Sequence, residues 1–392
     1  MYDAVLVKYG ELSIKGENKG YFEKKLAENI KRLFKKNKIK HEKITRYRSY
    51  LIIDIKEDEE KIKNVLINIF GIANFSFAYS CEKNIDKIKK LVLSKNSFYK
   101  KATSFKVDAS RQDKSFPHNS MEIGRIIGEI IHEKYKIKGD MKKPDSTVYI
   151  DIADKTYVYF EKVQGLDNLP TGCGGKVICL MSGGIDSPVA AMQMMKRGYY
   201  VVYLHFYQGK TKKEAKKVVD LLKILNKYEG SCKLYLVPFS LFQTAMANVF
   251  PNHEMILFRR YMLIVANKIA EKEEAKAIVF GDNLGQVASQ TMENIAALEY
   301  HDCSNKNNYS NKIQFPIIRP LATFSKQEII DLAKKIGTYE LSIKPYKDCC
   351  SIVSKHPSTR PNIEKILRSE KENNIEKLVE KTMKQIEEIV VN

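Results

Sequence analysis

Hydrophobic and polar positions follow two different rhythms along this chain. The opening apolar run in "AVLVKYGEL" predicts a strand and a turn. Phe22, Leu26, Ile30, Leu33 and Phe34 then recur at helical spacing and predict an amphipathic helix. "YLIIDI" predicts a strand, "EDEEKIKNVLINIFGI" a helix closed near Gly71, and "NFSFAYSC" another strand. A second unit repeats the pattern: helix near Asn84 to Leu93, strand "SFKVDASR", helix "SMEIGRIIGEIIHEKY", and the strand "TVYIDIADKTYVYFEKV". Helices set against a small sheet by local connections predict α+β units.

The Gly-, Pro- and Asn-bearing segment "QGLDNLPTGCGG" (Gln164–Gly175) reads as a linker. Beyond it, the strand runs "KVICLMS", "YVVYLHF", "KLYLVPF" and "AIVFGD" alternate with helical stretches. That alternation predicts parallel β–α–β units in a doubly wound sheet, where ligands gather at the carboxyl ends of strands. Ser182-Gly183-Gly184, His205-Phe206 and Gly281-Asp282 fall at such ends. "DCSNKNNYSNK" (Asp302–Lys312) reads as an exposed loop. The tail after His356 reads as charged and helical, with no core-forming strand.

Charge narrows the partners. Lys and Arg number 67 against 47 Asp and Glu, a net +20 over 392 residues. Part of that excess is compositional background, but it favours a polyanion, nucleic acid above all. The sequence has neither an apolar run long enough to span a bilayer nor a secretory leader, so a cytoplasmic protein off the membrane is expected. The seven cysteines form no CxxC pair, so no metal site is predicted. Most read as small apolar fillers in a reducing compartment. The adjacent pair Cys349-Cys350 is the exception.

The richest chemistry lies in "LMSGGIDSPVA" (Leu180–Ala190). A Walker loop fails, because Gly175-Lys176 is followed by Val177 and Pro170 stands where its first glycine belongs. The dinucleotide fingerprint fails for want of a third glycine. What remains is Ser-Gly-Gly-x-Asp-Ser between a buried strand and a helix amino end, a place suited to phosphate. The glycines admit a close approach, and Ser182 and Ser187 can donate to phosphate oxygens. Asp186 can cap the helix or hold magnesium, and Pro188 fits a first helical turn.

"SGGIDS" resembles the PP-loop of ATP pyrophosphatases, which cleave ATP between the α and β phosphates. "VKYGELSIKGENKGYFEKKL" (Val7–Leu26), "GDNLGQVASQT" (Gly281–Thr291), "PIIRPL" (Pro316–Leu321) and "IGTYELSIKPYKDCCSIVSKHP" (Ile336–Pro357) resemble the tRNA 4-thiouridine synthetases, also called tRNA sulfurtransferases. "SFKVDASRQDKSFPHNSMEIGRIIG" (Ser104–Gly128) resembles a THUMP domain, an RNA-binding module. The likeness covers nearly the whole chain in the family's order. It implies an α/β protein in three parts: a ferredoxin-like domain at 1–58, a THUMP domain at 59–165, and a PP-loop domain at 166–392. The form it resembles lacks the C-terminal rhodanese domain that some members carry.

The resemblance implies ATP with Mg2+ along Leu180, Met181, Ser182, Gly183, Gly184, Asp186, Ser187, His205, Phe206, Arg259, Gly281 and Gln290. Read alone, His205-Phe206 fits a core pair, Arg259-Arg260 a solvated helix face, and Gly281–Gln290 a polar turn. Lys326 follows a Ser325–Glu328 capping box in a helix closed by Gly337, and a cation in a first turn is misplaced unless an anion answers it. In "SFKVDASRQDKSF", Lys106, Arg111 and Lys114 interleave with Phe105 and Phe116, a pattern suited to phosphate contact and base stacking. The THUMP resemblance implies tRNA docking on Lys106, Arg111, Lys114 and Phe116.

In the tail motif, Lys344, Lys347 and Lys355 would favour a thiolate, and a bridge between adjacent cysteines is strained. The family pattern matches Cys350 as the sulfur-bearing thiol, with its neighbour Cys349 still open. Catalysis is thus expected from Cys350, Asp186 and Lys326. The implied reaction adenylates uridine 8 of tRNA and replaces its oxygen with persulfide sulfur from a cysteine desulfurase. A side role in passing sulfur to the ThiS carrier for thiamin thiazole also follows from the family. Cys349, Cys179 and Cys232 are the candidate resolving thiols, and a homodimer is left open. Two rivals are another PP-loop enzyme, such as a 2-thiouridine synthetase or an amidase, and a tRNA-binding module without chemistry. The missing CxxC speaks against the first, and the intact loop with Cys350 against the second.

Overall fold

The structure is a computed structural model describing residues 2–392 apart from 48–49, 100–101, 210–211, 247–250, 301–312, 347–348, 350–352 and 354–357. The chain forms two compact units that part between Leu169 and Pro170.

The first unit runs β1 (Ala4–Lys8), α1 (Lys19–Lys36), β2 (Lys43–Arg46), β3 (Tyr50–Asp54), α2 (Glu59–Leu66), β4 (Asn74–Cys81), α3 (Ile85–Ser94), β5 (Ser104–Arg111), α4 (Ser120–Tyr135), β6 (Lys138–Gly139), β7 (Ser146–Ile152), β8 (Thr156–Tyr159) and β9 (Val163–Gln164). Its strands make one sheet, ordered β2-β3-β1-β4-β8-β7-β5-β6, with β9 also on β4. Strand β4 is the joint. Its start pairs with β1 and its end, Tyr79–Cys81, with β8, so the two halves of the sheet share this one strand. Lys8 bridges the same joint, with Nζ 2.9 Å from both Asp151 Oδ2 and Tyr159 Oη. The run "TVYIDIADKTYVYFEKV", expected as one strand, is a hairpin followed by β9, because Ala153–Lys155 closes a turn. Ile123, Ile127 and Ile131 of α4 are fully buried against Val148, Ile150 and Ile152 of β7, as their four-residue and two-residue spacings require.

The second unit runs β10 (Lys176–Leu180), α5 (Asp186–Lys196), β11 (Tyr200–Tyr207), α6 (Lys216–Glu229), β12 (Cys232–Pro238), α7 (Ser240–Ala245), α8 (Pro251–Glu273), β13 (Ile278–Val279), α9 (Met292–Glu299), β14 (Ile317–Ile318), α10 (Lys326–Ile336), α11 (Tyr339–Ser342), α12 (Ile363–Glu372), α13 (Ile375–Met383) and β15 (Glu387–Val391). The sheet order is β14-β13-β10-β11-β12-β15. Its ladders are parallel except the last, and Val177, Ile178 and Cys179 of β10 are buried on both faces, as a covered parallel sheet demands. The chain leaves β10 for β11 on one side and returns to β13 on the other. The carboxyl end of β10 is therefore a topological switch point.

The tail departs from expectation. It ends in β15, antiparallel to β12, where Asn226 Nδ2 donates to Val391 O at 2.8 Å. An edge strand is half exposed and needs no continuous apolar run. Glu388 takes Lys233 at 3.1 Å and Lys272 at 3.0 Å instead. Among the described residues, no helix is long and apolar enough to cross a membrane.

Candidate active site

Strand β10 stops at Leu180, and the chain turns through residues 182–185 into α5. Ser187 Oγ accepts from Ser182 N–H at 3.0 Å and lies 3.0 Å from Ser182 Oγ, while Gly184 N–H donates to Ser182 Oγ at 3.2 Å. The two serines thus brace the turn. They set the positive end of α5 beside a cavity of about 240 Å³ that Ser182, Asp186 and Ser187 line. Leu180, Met181, His205, Phe206, Arg259, Gly281 and Gln290 line the same cavity, so ten of the expected nucleotide positions converge there. Gly183 and Gly184 stay in the turn itself.

Asp186 does not cap the helix. Ile185 occupies the cap position with no side-chain bond, and Asp186 is the first helical residue. Its Oδ1 accepts from Lys326 Nζ at 2.8 Å and its Oδ2 from Gln286 Nε2 at 3.3 Å. The misplaced cation at the start of α10 is therefore answered by a carboxylate of the loop. The Ser325–Glu328 capping box and the left-handed Gly337 form as the sequence predicts.

The space beside Gly281 is taken by protein. A Cβ there would lie 3.0 Å from Ser187 N and 3.1 Å from Ser187 Cα, so the glycine admits the first turn of α5. A Cβ on Gly183 would lie 2.3 Å from the Tyr346 ring. His205 and Phe206 are both buried and both border the cavity. His205 Nδ1 lies 2.8 Å from Met181 O, and its Nε2 lies 2.8 Å from Tyr346 Oη.

Neither arginine of the Arg259-Arg260 pair sits on a solvated face. Arg260 is held by Glu370 and by the carbonyl of Ala297 at the end of α9. Arg259 turns to the cavity, paired with Asp282, 2.6 Å from Ser289 O, and 5.5 Å from the Phe280 ring centre. Asp282 also takes Arg319 Nε at 3.3 Å and Gln290 Nε2 at 3.4 Å. With their amides turned this way, the Oε1 atoms of Gln290 and Gln286 are buried without a partner. Such orphaned acceptors suit an incoming donor, and Met255, Phe258, Met262 and Phe280 supply apolar walls for a flat base. The residues present therefore fit a nucleotide. Sequence reading missed Asp282 as the hub, Arg319, the methionine walls and Tyr346. "PIIRPL" held the one available clue, an arginine just beyond an apolar strand.

The thiols divide clearly. Cys349 is buried, with Sγ 3.2 Å from Phe206 O, and it lines the cavity. Cys350, Lys347 and Lys355 lie outside the described residues. Cys179 does not suit a resolving role, because full burial in β10 pushes its thiol up to about 12. Cys232 is also buried, in β12. Among the described residues, no three His, Cys, Asp or Glu side chains gather for a metal.

In the first unit, Phe105 and Phe116 correct the stacking expectation, since both rings belong to the core under α4. Arg111 serves the loop, donating to Phe116 O at 2.8 Å. Lys114 is exposed. Lys106 borders a groove between β5 and α4 together with Met121, Arg125, His132 and Met141.

Comparison with known proteins agrees with this arrangement. The family model "Thiamine biosynthesis protein (ThiI)" matches residues 172–375, the ThiI ferredoxin-like domain residues 4–76, and the THUMP domain residues 82–161. A probable tRNA sulfurtransferase of Thermoanaerobacter sp. (strain X514) is 38% identical over 394 residues, covering 99% of this chain and 100% of that protein. A namesake from Bacillus pumilus (strain SAFR-032) is 39% identical over 397 residues, covering 100% and 96%. The crystal structure of a 4-thiouridine synthetase–RNA complex with bound ATP matches with a TM-score of 0.87 and 31% identity, over 100% of both chains. With these three domains in order and full-length relatives at this identity, the chain belongs to the ThiI family.

Proposed function

We propose that this chain is a tRNA sulfurtransferase that uses ATP to convert uridine 8 of tRNA into 4-thiouridine. One observation carries the reading: a buried cysteine thiol, Cys349, lines the same cavity as the serine–glycine turn Ser182–Ser187. A site for phosphate and a segment for sulfur are thus adjacent.

The reaction divides into two halves. Uridine O4 attacks the α-phosphorus, the bond to the β-phosphate oxygen breaks, and pyrophosphate leaves toward the amide-lined turn. Arg259 offsets charge on the phosphates, and Lys326 exchanges Asp186 for the leaving group. Asp186 is the residue that would hold Mg2+, which would supply charge neutralisation there. A persulfide on Cys350, loaded by a cysteine desulfurase, then attacks C4 through its terminal sulfur, and AMP departs with the former O4. A second thiol cleaves the remaining S–S bond. The freed 4-thiouridine and a protein disulfide result, and an external dithiol, itself oxidised, reduces that disulfide and restores the two thiols. Cys349, which lines the cavity, is the candidate second thiol; the bridge it would form with its neighbour Cys350 is strained and therefore easily reduced. The parts 1–58 and 59–165 dock the tRNA, with Lys106 and Lys114 on phosphates, and the enzyme acts in the cytoplasm. The same persulfide can load the ThiS carrier.

The test is mass spectrometry of nucleosides from tRNA incubated with the protein, ATP, a desulfurase and cysteine. We expect 4-thiouridine from the wild type and none above background from Asp186→Ala or Cys350→Ala. Thiolation that persists in Cys350→Ala would refute the sulfur assignment.

A further inference from the structure

Tyr346 lies within the tail motif "IGTYELSIKPYKDCCSIVSKHP" without a role so far, yet it ties that motif to the turn and to His205-Phe206. It lies between α11 and Cys349, and its hydroxyl is 2.8 Å from His205 Nε2. The other ring nitrogen of His205 is 2.8 Å from Met181 O. A carbonyl only accepts, so Nδ1 carries the hydrogen. In the neutral ring Nε2 is then the acceptor, and the tyrosine O–H donates. The Tyr346 ring also fills the space above Gly183, where a Cβ would come within 2.3 Å of Cδ1. From the other side, Lys217 of α6 grips the same segment. Its Nζ donates to Ser342 O at 2.8 Å and Lys344 O at 2.6 Å, and it stands 5.5 Å from the Tyr346 ring centre. Three residues beyond Tyr346, the Cys349 thiol rests on the carbonyl of Phe206, the residue after His205.

We propose that Tyr346 is a positioning residue for sulfur delivery: its bond to His205 and its seat on Gly183 dock the cysteine-bearing segment against the nucleotide site. This rests on the sulfurtransferase reading above. Loss of the hydroxyl removes this buried bond and favours the undocked segment by roughly tenfold. ATP cleavage needs the turn, Arg259 and Lys326 but not this bond, so the two half-reactions separate.

The variant is Tyr346→Phe, which keeps the ring. Three quantities are read: pyrophosphate release with tRNA, 4-thiouridine formed per pyrophosphate, and the rate at which iodoacetamide alkylates Cys349, located by peptide fragmentation without ATP or tRNA. The expected result is pyrophosphate release and KM for ATP within about twofold of wild type, about tenfold less 4-thiouridine per pyrophosphate, and about tenfold faster alkylation of Cys349. Lys217→Met should act in the same direction but less strongly. Cys179, buried in β10, is the internal control, because general unfolding would expose it as well. An unchanged thiolation ratio overturns the proposal. So does a raised KM for ATP with that ratio preserved, since Tyr346 would then serve nucleotide binding alone. If wild-type protein releases no pyrophosphate, the sulfurtransferase reading fails. Unchanged Cys349 alkylation would then refute the docking on its own.

Discussion

Replacing Gly281 with alanine separates two reasons for having a glycine just beyond β13. If it makes room for a nucleotide, the variant suffers only when ATP is present. If it makes room for α5, the empty protein suffers too. The added Cβ would lie 3.0 Å from Ser187 N, 3.1 Å from Ser187 Cα and 3.2 Å from Asp186 C. Relaxed carbon contacts lie at about 3.5–4.0 Å, so strand and helix must part by roughly half an ångström. The atoms met are backbone in a first helical turn, and no rotamer change can move them. Overpacking of this kind costs about 1–3 kcal/mol. At about 2–4 °C per kcal/mol for a domain of this size, the melting temperature of nucleotide-free protein should fall by roughly 2–12 °C. The helix start carries Asp186 and Ser187, so its shift also misaims the phosphate turn. A misplacement of about 1 Å costs on the order of a hundredfold in rate, and half of that about tenfold. The assays are calorimetry without ligand and pyrophosphate release with ATP and tRNA. Gly184→Ala is the control for melting, because its Cβ would meet nothing nearer than Ser182 Oγ at 3.4 Å. An unchanged melting temperature in Gly281→Ala, with ATP affinity lost, would refute the helix-packing account.

Two further outcomes are expected. Phe116→Ala should destabilise the first unit by about 3–5 kcal/mol, seen in its unfolding transition, because the ring is core. Lys114→Ala should leave stability unchanged and lower the salt slope of tRNA binding by about one. Glu273 gives a pH dependence. Burial pushes its carboxyl up, but Lys176, Lys233 and Tyr235 outweigh that and hold it at about 2, below the usual 4.5. A depressed carboxyl contributes stability above its unfolded value and loses it as pH falls through the folded one. The second unit should therefore weaken between about pH 5 and pH 2 in denaturant titrations, and Glu273→Gln should flatten that decline.

The fold was legible wherever local spacing decided it. The isoleucines of α4, the buried run of β10 and the capping box of α10 each encode their element within a few residues. What local pattern could not supply was pairing. Strand β15 is "EEIVV", which reads as a helix tail until β12 and Lys233 are placed beside it. The split of "TVYIDIADKTYVYFEKV" into a hairpin turned on Asp154-Lys155, a turn without glycine or proline to announce it.

The site follows the same division, and the reason is electrostatic. The turn Ser182–Ser187 could be read directly because one strand, one turn and one helix end build it. Residues that orient charge toward it could not, since each depends on a partner far along the chain. Asp186 meets Lys326 across 140 positions, and Asp282 meets Arg259 and Arg319 across 23 and 37. A lone cation at a helix start signals only that some anion is owed to it. Lys326 carried that signal, and Asp186 is the anion that answers it. Arg259 carried none, for an arginine within an apolar helix stripe looks the same whether it faces solvent or a buried carboxylate. A buried guanidinium needs its charge answered, and Asp282 answers two of them at once. Glu299 takes Arg319 as well, so the two guanidinium charges are balanced by two carboxylates and Arg259 is held in place at the cavity wall. What favours a polyphosphate there is therefore the amino end of α5 beside the cavity, with Arg259 and Lys326 held at its edge by carboxylates.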